Sequence, residues 1–264
     1  MSLRRAAPHL DTRRAFERAA QTRLVLSHEL ALQAHTARVL AGLGRRAAHG
    51  YRKDGHDGVQ EALLPLRGEL ARMLRPSLVS TARAFADRLT HTPKSAHGLE
   101  RKAAFDDLDS SIRDYMGEHT AEAVVGISDT TRALVMNAII QGEDENQSVE
   151  EIAKAIVEAT SGEIGLARAR MIAITETHGA AMFGQQAAAE ASPLAFNKTW
   201  LATEDHRTRP DHAEANGQTV ALEEPFTVGG IEMDYPGDFK APPEQIIRCR
   251  CIALYEPAAI GEQA

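Results

Sequence analysis

Through its first 190 or so residues the chain repeats apolar positions at helical spacing, and from residue 192 the repeat shortens to every second residue. Over 12–47, Phe16, Leu26, Leu30, Ala34, Ala37, Leu40 and Leu43 predict one long amphipathic helix or two in line. The polar stretch 50–58, with Lys53, Asp54, His56 and Asp57 between glycines, predicts a loop. A second helix is expected over 59–91 on Leu66, Leu70, Met73, Leu78, Ala82, Phe85 and Leu89. Pro76 in its middle removes an amide donor and predicts a kink or break. After a loop at 92–98, Phe105, Leu108, Ile112, Tyr115 and Met116 mark a third helix. A fourth, over 128–141, ends in the acidic loop 142–146. Ser148 and Glu151 have the spacing of a capping box, in which each side chain satisfies an orphan amide at a helix start. That helix should stop at Gly162. The last, 163–191, is so rich in alanine that a neighbouring element can approach closely. Thr175, Glu176, Thr177 and His178 interrupt it and read as a solvated face or a helix contact.

Beyond residue 192, Phe196, Lys198 and Trp200 alternate with Asn197, Thr199 and Leu201 as in a strand. Residues 203–211 form a polar loop, after which Pro210 opens a short helix that Gly217 closes. Short strands follow at 219–222 and 226–228, a hairpin turn at Gly229-Gly230, a loop at Pro236-Gly237-Asp238, one helical turn from Pro242, and a final strand over 246–255. The fold class is therefore α+β: a mainly α-helical N-terminal part followed by a small α+β C-terminal module with short antiparallel strands. The expected divisions are a helical region 1–125 with an arginine-rich arm over 1–54, a helical part 126–191, and the module 192–264.

The module holds the only tryptophan and both cysteines. Alternation along the final strand points Cys249 and Cys251 the same way. One reading is two small buried hydrophobes, the usual behaviour of free cysteine. The other is a zinc site of Cys249, Cys251 and His212, with Asp205 or His206 as a fourth group, since zinc prefers nitrogen and sulfur donors. A metal-dependent hydrolase or nuclease centred on His212, Cys249, Cys251 and Asp205 is the enzymatic extension of that reading. Both fail if Cys249 and His212 lie far apart. No glycine-rich phosphate loop, nucleophile elbow or HExxH is present.

Composition narrows the class. Aromatic residues are 5%, which suits alanine- and leucine-packed helices. No run approaches the eighteen apolar residues of a membrane span, and the N-terminus lacks the apolar core of a signal peptide, so no membrane partner is expected. Two cysteines one residue apart make no disulfide framework. The net charge of −7 divides unevenly: residues 1–54 carry +7 and the remainder −14. Arg4, Arg5, Arg13, Arg14 and Arg18 lead the basic arm, which reads either as a solvated helix face or as a surface for phosphates.

Taken in order, these motifs resemble one family. They are the run 168–176 ending in Glu176, then Lys198 and Trp200, Asp205-His206-Arg207-Thr208-Arg209 with His212, and Asn216-Gly217-Gln218. Phe226 near Gly229-Gly230, Pro236-Gly237-Asp238, and Pro243-Glu244-Gln245 leading to Cys249-Arg250-Cys251 complete the series. The series resembles the Mu protein F-like family of phage head morphogenesis proteins over about residues 128–256. The family motif maps to Glu176, Trp200, Asp205, Arg207, Thr208, His212, Gly217, Cys249, Arg250 and Cys251. The resemblance implies a non-enzymatic minor capsid protein inside the head of a tailed phage or prophage, made in the host cytoplasm. It further implies association with the portal protein, contact with major capsid or scaffolding protein and packaged double-stranded DNA, and a part in head assembly, DNA packaging or delivery. The family usually has Arg where this chain has Ile174, and Asn where it has Arg248. Members with toxin activity carry an extra C-terminal domain; this chain ends about ten residues past the motif and is expected to have none.

Overall fold

Among the described residues, five helices carry the chain to residue 190: α1 (Pro8–Leu63), α2 (Leu66–Thr90), α3 (Arg101–Asp144), α4 (Val149–Ser161) and α5 (Glu163–Glu190). There follow β1 (Phe196–Leu201), α6 (Pro210–Glu214), β2 (Thr219–Ala221), β3 (Phe226–Val228), β4 (Ile231–Met233), α7 (Pro243–Ile246) and β5 (Ile252–Pro257). The structure, a computed structural model, describes residues 8–90 and 101–258, with side chains for 15–90 and 107–258. The α+β class and the order of elements agree with the pattern of the sequence. Several boundaries move, each for a physical reason.

The expected loop at 50–58 contracts to two residues. Helical dihedrals fail only at Asp54 and at Gly55, whose φ of 59° glycine tolerates. The chain doubles back there, because a Cβ on Gly50 would lie 2.2 Å from the carbonyl oxygen of Gly58, and the reverse holds for Gly58. The two glycines flanking the polar stretch thus serve a backbone-to-backbone crossing. The next break falls at Leu64-Pro65, not at Pro76, which sits inside a continuous α2. The third and fourth predicted helices are one 44-residue helix. On α1 the apolar stripe was misplaced: Phe16, Leu26 and Leu30 are exposed, while Gln21, Val25, Leu32 and Thr36 are buried.

The described residues fall into two compact units, one of Glu29–Val79 and Arg113–Glu176, the other of residues 8–28, 80–90, 101–112 and 177–258. In the first unit Leu40, Leu43, Leu66, Leu70, Leu74, Val135, Ile139, Ile152 and Ile156 are buried. Thr36, Thr131 and Thr160 are also buried and spend their hydroxyls on carbonyls four residues back, so they cost no unpaired group. The capping box at Ser148 and Glu151 forms as expected. Between Asp107 and Asp144, α3 contains an 18-residue window of mean hydropathy 1.3, long and apolar enough to cross a membrane by length and composition alone. The sequence reading did not anticipate this. The middle of α3 nevertheless meets charged side chains of the protein: Arg67 bonds Ser128 and Asp129, and Arg168 bonds Thr130 and the Ile127 carbonyl.

In the second unit the end of α2 packs on α5 at Gly184, where a Cβ would lie 2.1 Å from the Ala82 carbonyl oxygen. Arg88 pairs with Glu17, and Arg83 with Asp109. The alanine-rich half of α5 is buried through Ala180, Ala181, Ala187, Ala188 and Ala189. Against it stands a three-stranded antiparallel sheet of order β2-β1-β5, beside a β3-β4 hairpin. The Tyr255 hydroxyl of β5 donates to Gln186 of α5 at 3.0 Å. Trp200, Phe226, Val228, Met233, Ala253 and both cysteines form the core of the module. Residues 198–201 of β1 are buried on both faces, so its alternation does not mark an exposed side. Lys198 is buried with them, donating to the Asp234 carbonyl at 2.8 Å above the Phe226 ring. β5 begins only at Ile252, so the cysteines precede the strand.

Two substitutions test this packing with opposite signs. Gly184→Ala should lower stability by about 2 kcal/mol or more, because backbone faces backbone there and neither can yield. Gly68→Ala, on an exposed turn of α2 with only the flexible end of Arg72 nearby, should raise it by about 0.5–1 kcal/mol. Denaturant unfolding of the two variants checks both. Arg248 holds a φ of 57°, a left-handed conformation that Asn adopts more readily. Arg248→Asn should therefore stabilise by about 0.5–1 kcal/mol, read the same way.

Candidate metal centre

Three donors from two parts of the module converge. His212 sits in α6, the five-residue helix that Pro210 opens. Cys249 and Cys251 come from the segment between α7 and β5, where the Cys249 amide bonds back to Ile246 and Arg248 turns the chain through its positive φ. Each of the three is no more than 2% exposed. His212 Nδ1 lies 3.4 Å from Cys251 Sγ and 3.8 Å from Cys249 Sγ, and the three donor atoms all lie within 4.8 Å of one another. Trp200 covers the imidazole edge-on, with ring centroids 5.5 Å apart, and Phe226 covers the indole in turn at 5.4 Å. The condition that Cys249 and His212 be neighbours is met, though not through the strand alternation expected of them.

The protonation of His212 follows from its neighbours. Gln245 Nε2 stands 2.6 Å from Asp211 Oδ2 and must donate, because a carboxylate only accepts. Gln245 Oε1 therefore faces His212 Nε2, at 2.7 Å, and accepts its proton. In the neutral ring Nδ1 is then left with its lone pair toward the two sulfurs, and in the protonated ring it donates to Cys251. Burial alone would lower the pKa of His212, but hydrogen bonding to Cys251, the charge there and the bond to Gln245 raise it on balance. Cys251 is held below its ordinary value by the hydrogen bond from Cys249, with His212 adding to it against burial. Cys249 is pushed well up, first by that same bond and then by burial.

Asp205 is not part of this group. Both its oxygens accept from Arg250, at 2.7 and 2.9 Å, and it takes the Arg207 amide at 2.9 Å as well. Those bonds, led by Arg250, hold its carboxyl well below the usual range. Its partner lies between the two cysteines in sequence, and Thr203 binds the Arg250 carbonyl, so the 203–208 loop clamps the cysteine segment instead of donating a ligand. Thr208 closes that loop by accepting from the Asp205 amide, Arg207 stands exposed, and His206 is exposed too. Gly217, at φ 83°, turns the chain beside β1 and bonds the Trp200 carbonyl. Glu176 is buried against His119 at 2.6 Å.

The residues 175–178 are all buried, not a solvated face. His178 is among them: burial drives its pKa down to about 4, its Nε2 has no hydrogen-bond partner among the described residues, and the Cys251 backbone faces its ring. Of the arginine arm, Arg4, Arg5, Arg13 and Arg14 lie outside the residues whose side chains are described. Arg18 donates to the Ala202 carbonyl at 2.6 Å and is half-buried. Sequence reasoning passed over Gln245 and Asp211 as the residues that orient His212. They are 34 positions apart, and no local pattern ties them.

Comparison with known proteins adds the lineage. The sequence model of the phage Mu protein F like protein family matches residues 129–254. The minor head protein GP7 of Bacillus phage SPP1 is 30% identical over 128 residues, covering 46% of this chain and 38% of that protein. The NAD(+)–arginine ADP-ribosyltransferase EFV of Enterococcus faecalis is 34% identical over 141 residues, covering 52% of this chain and 28% of that protein. The chain thus spans about a third of the length of these curated relatives. No solved structure matches it. The region matched contains the whole Asp205 clamp and the His212–Cys249–Cys251 group, and over residues 129–254 this chain is similar to the phage Mu protein F-like family.

Proposed function

We propose that this chain is a minor head protein that binds other head components and performs no catalysis. The observation that carries the reading is what the family-motif residues do. Asp205, Thr208 and Arg250 lock a loop, Gly217 makes a turn, and Trp200, His212, Cys249 and Cys251 fill a core, so the motif reads as the recipe for a compact binding module. The name of the SPP1 relative supports the same assignment, with the capsid of a virion as the place of action after assembly in the host cytoplasm. Within that reading, residues 1–125 carry the element that docks the chain on the portal protein or the capsid, and residues 192–264 form a compact interaction unit. A hydrolase or nuclease at His212 would need substrate to reach donors that are at most 2% exposed, which weighs against it. The ADP-ribosyltransferase match covers 28% of that relative, and no ADP-ribosyl transfer is assigned to this chain.

Three outcomes are expected. The full chain should co-sediment with purified portal rings of the same phage; sedimentation with scaffolding or major capsid protein alone would place its docking elsewhere and overturn the portal assignment. Incubation with NAD+ and an arginine-rich acceptor should release no nicotinamide, and steady release would contradict the non-enzymatic reading. Of the arm, Arg4, Arg5, Arg13 and Arg14 are assigned to packaged DNA through phosphates, whereas Arg18 is engaged by the Ala202 carbonyl. Binding to a double-stranded oligonucleotide should then weaken steeply with salt, with a logarithmic slope of about −4 if four phosphates are neutralised. An affinity flat from low to moderate salt would remove DNA from the partners.

A further inference from the structure

We propose that His212, Cys249 and Cys251 bind one zinc ion per chain, and that Gln245 and Asp211 orient His212 to do so. The spacing of the donors is the first argument. With Zn–S about 2.3 Å and Zn–N about 2.0–2.1 Å, a tetrahedral ion puts ligating nitrogen and sulfur about 3.6 Å apart. The separations of 3.4 and 3.8 Å bracket that figure. The second argument is tautomer. A metal ligand needs an unprotonated nitrogen, and the Asp211–Gln245–His212 relay leaves Nδ1 in that form and aims it at both sulfurs. A thiol–imidazole hydrogen bond would engage one sulfur, whereas here both approach the same lone pair.

Charge is the third argument. Two thiolates balance a divalent ion, so the occupied site is neutral where burial makes a net charge costly; binding displaces the thiol protons to solvent. The sulfur and imidazole donors select zinc over magnesium or calcium, which prefer oxygen. Three protein donors leave one tetrahedral position for a small donor such as water. The burial of the group beneath Trp200 makes the ion a staple joining α6 to the segment before β5, two pieces of chain that no strand pairing connects.

The test uses the full chain without a histidine tag. Elemental mass spectrometry should find about one zinc per chain, and cobalt(II) exchanged into the protein should show thiolate-to-cobalt charge-transfer bands with the intense visible bands of tetrahedral cobalt. Cys249→Ser/Cys251→Ser should lose both. Gln245→Ala touches no ligand atom; it should keep the wild-type circular dichroism yet bind zinc about 10–100-fold more weakly in chelator competition. Wild-type protein that takes up neither zinc nor cobalt on stoichiometric addition overturns the proposal, leaving a buried thiol–imidazole contact. Metal retained equally by the double-serine variant overturns it as well, because the ion would then sit elsewhere.

Discussion

The lone pair of His212 Nδ1 faces two buried sulfurs, and the small module is arranged to keep it there. Trp200 presses on the imidazole from β1, Gln245 and Asp211 hold its other nitrogen, and Arg250 is drawn outward to Asp205, so that the cysteines on either side of it turn inward. The Asp205–Arg250 pair is about two-thirds buried and bidentate, which gives it geometric value beyond that of a surface ion pair. Remove either partner and the segment that presents both sulfurs loses its anchor to the 203–208 loop.

This dependence gives the family's string of motifs a physical meaning. Short strands of three residues and a five-residue helix carry little stability of their own. Local clamps replace secondary structure: Asn216 accepts the Ala202 amide, Gln218 bonds both backbone groups of Thr227, and Asp238 takes the amides of Asp234 and Lys240. A loop-rich module held in this way has a shape set by its side-chain clamps. Similar stretches occur in proteins of different length, including a head protein and an ADP-ribosyltransferase, and a shared stretch requires no common activity.

The sequence made the helical part legible because packing there follows spacing: Leu66, Leu70 and Leu78 are buried where periodicity put them. It failed where packing replaced propensity. Gly50 and Gly58 looked like loop formers and are a crossing point, and Pro76 lies within a helix that the surrounding core keeps intact. Phe16 and Leu26 are apolar yet exposed on α1, whereas Gln21 beside them is buried and bonds Glu17. At the site, residue types named His212, Cys249 and Cys251 correctly as neighbours, but alternation gave the wrong cause, since the turn at Arg248 brings the sulfurs in before β5 begins. Asp205 looked like a ligand because a carboxylate beside histidines suits one. Its partner, Arg250, is 45 residues away and could be found only in space.

The central claim, that this module is built around a bound ion, is tested most directly by X-ray absorption at the zinc edge on the purified full chain. The account predicts a first coordination shell with two sulfurs at about 2.3 Å and the remaining donors as nitrogen or oxygen near 2.0 Å. A shell of light atoms only, or no edge above background, would contradict it and reduce His212, Cys249 and Cys251 to a packed core.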